Sequence, residues 1–230
     1  MVESASVITH APVPWSDMGI TDQEFLQIYL TAKQQPASPP GVQPQPRHVS
    51  TFWAGLQNSR GTAGRDLDSG RVVSAEHSAS WLAAIGYLCW FDQVGTAIVL
   101  DGKLNPGSSF LGALDRFSDL DEREREALYA LRSSLAHDFS LINSKVASPR
   151  NPLRWHCFQL DPFDHPIFFP PTPWDGVTYP PPETVVGLMW ISDLAERVKA
   201  GVLQCWRDGR LSPGDAPGVA LARFSFGYVA

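Results

Sequence analysis

Cysteine is scarce in this chain: Cys89, Cys157 and Cys205 are its only three in 230 residues. They are too few and too far apart for a disulfide framework, and their spacing fits no metal-ligand pattern. Reduced thiols and a cytoplasmic protein are expected. Positive charge is also short, with 18 Lys and Arg against 24 Asp and Glu, a net charge of −6. That excludes a broad basic surface of the kind that holds nucleic acid through its phosphates, but not a local cleft that handles RNA. The opening stretch MVESASVITHAPVPWSDM lacks a basic segment followed by an apolar core, so it is not a secretory leader. The longest apolar run, from Trp81 to Leu100, contains glycines and is interrupted by Asp92 and Gln93. It reads as a buried bundle helix rather than a membrane span.

Several chemistries lack their signatures. There is no Walker loop, no G-x-G-x-x-G after a strand, no H-E-x-x-H and no G-x-S-x-G. His156, Cys157, Asp161, Asp164 and His165 are residue types that zinc accepts, but an adjacent His and Cys on a strand point to opposite faces. No metal and no cofactor is expected.

What the chain does have is apolar content of 43%, enough for a core, distributed in recognisable elements. Residues 21–33 begin with a capping-box pattern, T-x-x-E, and place Phe25, Leu26, Tyr29 and Leu30 at helical spacing. A Pro/Gln-rich linker follows over 34–48, then one or two helical turns at 51–58 and a glycine-rich loop at 60–70. The apolar helix that starts near Ser78 or Ser80 is apolar all round, so it should be central and most buried. Its Asp92 needs a partner. One reading turns Asp92 outward or onto local backbone; the other brings Asp92 or Gln93 to Arg132 on a neighbouring helix. A short helix over 109–117 leads to a long one, and apolar runs at 153–160, 166–169 and 185–190 read as strands of a small sheet. A proline-dense loop near 170–182 covers one edge. A helix capped by Ser192 and ended by Gly209 follows, and the last twenty residues add a strand or an arm.

The long helix, DLDEREREALYALRSSLAHDFSLIN from Asp119 to Asn143, is capped by Asp119 or Asp121. Leu128, Leu131, Leu135, Phe139 and Ile142 form its apolar stripe. It should pack antiparallel to the central helix, against Ile85, Leu88 and Val94. Arg132 borders the stripe. His137 lies roughly 140° from it around the axis, among Ala130, Ser133, Ser134 and Leu141. These residues are mostly small, so another backbone should be able to approach there.

The run LRSSLAH, with Arg132-x4-His137 late in a bundle helix, resembles the signature of the HEPN superfamily (higher eukaryotes and prokaryotes nucleotide-binding domains). LYALRSSLAHDFSLIN and, more loosely, WLAAIGYLCWFDQVGTAI are similar to a group of uncharacterised bacterial HEPN-like proteins, and the resemblance covers about residues 78–145. Ser133 matches the family's polar residue after the Arg, which is often Asn or Asp. Phe139 stands where members modified by a partner nucleotidyltransferase carry Tyr.

The expected fold is α+β and mainly α: an arm with a short helix and a Pro-rich linker over 1–75, a HEPN-like bundle over 76–148 as the resemblance implies, and a small antiparallel sheet with a C-terminal helix over 149–230, read from the apolar runs. The resemblance also implies a metal-independent endoribonuclease in a bacterial defence or toxin setting, with the substrate's own 2′-hydroxyl as the attacking group. Arg132 and His137 would be catalytic, with Ser133, Asp92, Gln93, Asp138 and Asn143 supporting. The partners would be RNA and a second copy of the chain. The alternative is a non-catalytic HEPN-like module that binds a nucleotide or a protein partner.

Overall fold

The computed structural model describes residues 19–31, 49–59, 78–103, 108–138, 140–143, 156–160, 167–172, 174–175, 181–188 and 191–226. The linker at 34–48 and the loop at 60–70 lie outside them, as do Phe139, Asp161, Asp164 and His165.

The elements run α1 (Asp22–Thr31), β1 (Val49–Ser50), α2 (51–59), α3 (Ser78–Ala97), β2 (Ile98–Leu100), α4 (Ser109–Phe117) and α5 (Glu122–Asp138). Then follow β3 (Ile142–Asn143), β4 (His156–Leu160), β5 (Ile167–Phe168), β6 (Val186–Leu188), α6 (Ile191–Arg207), β7 (Leu211–Pro213), α7 (Pro217–Phe224) and β8 (Ser225–Phe226). The fold is α+β and mainly α. Three helices that periodicity marks out, α1, α4 and α6, are present close to their expected bounds. Among the described residues no helix is long and apolar enough to cross a membrane.

Local chemistry explains the starts of the helices. At α1, the Thr21 N–H donates to the Glu24 carboxylate at 2.8 Å and the Glu24 N–H donates to the Thr21 hydroxyl at 3.3 Å. At α5, Asp121 and Glu124 exchange the same pair of bonds, each 2.8 Å. Each box satisfies two N–H groups that the first turn leaves open. Of the two cap candidates for α5, Asp121 takes the role.

The core is one cluster built around α3, as expected of a helix apolar on all sides. It packs most extensively on α4 and also meets α5 and α6. Leu88, Val94, Leu128, Leu131 and Leu135 are buried together, with Ile85 partly buried against them. A chain of ring contacts runs from Phe25 and Tyr29 on α1 through Phe52, Trp90, Phe91 and Phe110 to Tyr129 on α5. The Trp90 indole N–H donates to the Phe52 carbonyl at 2.9 Å, so the largest fully buried side chain has its polar atom satisfied. Through Phe25, Leu26, Tyr29 and Leu30, α1 belongs to this same cluster and docks on α7 and β7.

Some expectations change. Ile98–Leu100 is a strand, antiparallel to β7, and not the end of the central helix. Ile142–Asn143 likewise pairs with β4 and does not prolong α5. Both segments are apolar enough for either structure, and a pairing partner distant in sequence decides. The three expected strands are present, in a sheet ordered β3-β4-β6-β5. Its β3–β4 and β5–β6 pairs are antiparallel, but β4 and β6 run parallel. The tail adds β7, α7 and β8, and β8 pairs with β1 from the other end of the chain.

Candidate functional site

The site begins with how closely two helices approach. Gly95 of α3 lies directly under the first residue of α4. A Cβ there would stand 2.6 Å from the Ser109 carbonyl carbon and 3.1 Å from its Cα, and closer still to the carbonyl oxygen. Only glycine permits that approach. One turn earlier, Asp92 profits from it: the Ser109 hydroxyl donates to Asp92 Oδ1. The other carboxylate oxygen, Oδ2, accepts from Arg132 Nη2 of α5 at 2.7 Å. Three helices are therefore tied by one carboxylate.

Of the two readings of Asp92, the second is realised. The pair sits at the edge of the core, with side chains 25% exposed for Arg132 and 28% for Asp92. Arg132 spends one nitrogen on Asp92. Its Nε is buried without an acceptor, and among the described residues its side chain makes no other bond. Gln93 does not reach Arg132. Its amide donates to the Thr51 hydroxyl, which donates in turn to the Phe224 carbonyl at 2.8 Å. It ties α2 and α7 to α3, a structural role.

The remaining candidates lie toward the exposed end of α5. His137 and Asp138 are exposed, and Ser133 is partly so. Asn143 is on β3, opposite His156, beyond the turn closed by the Ser140 N–H donating to the Ser134 carbonyl at 3.2 Å. Ala130 and Ser134 are not on an open face. They are 2% and 4% exposed within the single chain. Their smallness reflects packing inside this fold, so they cannot line a contact with another copy.

Cys89, one turn before Asp92 on α3, is a free, exposed cysteine. Burial pushes its thiol up, against the pull of the Arg132 guanidinium and with the help of the Asp92 carboxylate. Among the described residues no group of His, Cys, Asp and Glu is placed to hold a metal ion. Ser109 is the participant that sequence reasoning missed. Its only signal is position, as a small hydroxyl residue at the start of a helix.

The arrangement thus presents a guanidinium fixed by Asp92 and Ser109, and an exposed imidazole one and a half turns further along. Their positions on the helix diverge by roughly 140°, so one copy presents the pair poorly to a single phosphate. No family model matches the chain, and no curated protein or solved structure matches it either.

Proposed function

We propose that this is a HEPN-like, metal-independent endoribonuclease acting in the cytoplasm as a homodimer, with Arg132 and His137 of two copies forming each composite site. The observation that carries the reading is the Asp92–Arg132 pair. One bond from Nη2 to Asp92 anchors the guanidinium at the edge of the core, and Nη1 keeps its donors unspent among the described residues, which suits stabilising charge on a pentacoordinate phosphorus. His137 supplies the proton transfers of attack by the substrate's 2′-hydroxyl and departure of the 5′-oxygen. The contact between copies is centred on Ser133, His137 and Asp138, which are accessible, rather than on Ala130 and Ser134. A twofold contact repeats each residue on both sides, so His137 faces its counterpart across it.

A second reading has its own observation. Asp92 neutralises Arg132, and the chain carries a net charge of −6, which suits a non-catalytic HEPN-like module that binds a protein or a nucleotide.

The test is incubation of purified protein with labelled RNA in EDTA. Cleavage should persist without metal and fall by about 10²–10⁴-fold in His137→Ala, the usual contribution of a general acid or base. Intact RNA under these conditions, from a folded dimer, leaves the interaction module. Equal cleavage by His137→Ala removes the histidine from the mechanism.

A further inference from the structure

Arg132 and Asp92 meet by less than their chemistry allows. In a guanidinium the Nε–H and one Nη2–H lie along a shared edge and point the same way, a fork that matches the two oxygens of a carboxylate. Arg132 has Nη2 on Asp92 Oδ2 at 2.7 Å, while the Nε beside it is buried with no acceptor. The oxygen that would complete the fork is Asp92 Oδ1, and it is engaged elsewhere, by the Ser109 hydroxyl. A single bond stands where the two side chains could form a parallel pair.

The fold keeps Oδ1 on Ser109. Gly95 brings the start of α4 against α3. Ser109 is the first residue of α4, so the carboxylate it holds stands at the positive end of that helix's dipole. Ser108, the N-cap, makes no side-chain cap bond and leaves that end to Asp92. The terminal torsion of an aspartate is soft, so without the hydroxyl the carboxylate can turn. The open Nε then draws Oδ1, because a buried donor without a partner is costly.

We propose that Ser109 is a positioning residue: it withholds Asp92 Oδ1 from Arg132 Nε, and so keeps the guanidinium anchored by one bond instead of locked by two. This role rests on the RNA-directed reading of Arg132 and deepens it. A second bond would spend more of the positive charge on Asp92 and turn the guanidinium plane to the carboxylate's, leaving less for a phosphate.

The experiment is Ser109→Ala in the full chain. Alanine is smaller than serine, so the crossing at Gly95 is kept. The Arg132 Nε–H resonance, assigned by its loss in Arg132→Lys, should move downfield and exchange with water about tenfold more slowly, as a newly bonded donor does. The melting midpoint should stay level or rise, although a hydrogen bond has been deleted. RNA cleavage in EDTA should nonetheless fall by about tenfold or more. A purely structural serine would lower the midpoint. In an Arg132→Lys background, whose ammonium offers no fork, Ser109→Ala should lower it. The proposal is overturned if the Nε–H resonance does not move, or if Ser109→Ala cleaves as fast as an active wild type. Wild-type protein that leaves RNA intact defeats the ribonuclease reading instead, and the Nε–H resonance then decides by itself whether Ser109 withholds Oδ1.

Discussion

Replacing Gly95 with alanine is expected to destabilise the protein by roughly 3 kcal/mol or more, at the upper end of overpacking costs. In a chain of this size that lowers the melting midpoint by roughly 6–12 °C. The added methyl meets backbone, the Ser109 carbonyl, and not the flexible end of a side chain that can swing aside. Relief requires α3 and α4 to separate, and theirs is the most extensive helix pairing in the fold. Separation also draws the Ser109 hydroxyl away from Asp92, so the brace on Arg132 loosens in the same step. At an ordinary solvent-facing helix position the same substitution stabilises, because alanine is the better helix former by about 1 kcal/mol. The sign of the change therefore decides whether the close crossing exists. A midpoint that stays level or rises contradicts it.

Removal of the Asp92 carboxylate has the second-largest expected effect. In Asp92→Ala the Arg132 guanidinium stays three-quarters buried with no counter-charge, its Nε still open and its Nη2 newly so. Breaking a fully buried pair costs about 3–5 kcal/mol. Partial exposure here reduces that to about 2 kcal/mol, or roughly 4–8 °C in the melting midpoint. The penalty belongs to the stranded charge more than to the lost attraction. The double change Asp92→Ala with Arg132→Leu should therefore melt above Asp92→Ala alone. A double variant that melts at the sum of two independent losses would show that Asp92 and Arg132 act separately. Asp92→Asn, which keeps an oxygen for Ser109, should fall between wild type and Asp92→Ala.

These two residues also show what sequence can convey. Asp92 announces itself as a carboxylate inside an apolar helix, and the requirement that it find a partner leads to Arg132. Helical periodicity likewise marks α1, α4, α5 and α6, because each keeps one stripe in the core and one in water. Ser109 carries no such mark, since its part depends on Gly95 bringing two backbones together. The small residues of α5 misled for a related reason: Ala130 and Ser134 are small because this chain's own fold covers them, and a sequence does not say which body does the covering. Strands β2 and β3 were hidden because their partners, Leu211–Pro213 and His156–Leu160, lie outside any local window. The helix α7 did have a signal, Pro217 at its first position, where the missing N–H costs nothing.

The composite site across two copies is the central claim, and subunit mixing addresses it most directly. Arg132→Ala and His137→Ala, each inactive on RNA alone, are to be mixed in equal amounts under conditions that allow exchange and assayed in EDTA. If each site takes Arg132 from one copy and His137 from the other, half the dimers are mixed and one of their two sites is intact. About a quarter of wild-type cleavage should return. If wild type cleaves and the variants demonstrably exchange, yet the mixture stays inactive, the two residues do not meet across a contact between copies and the account is contradicted.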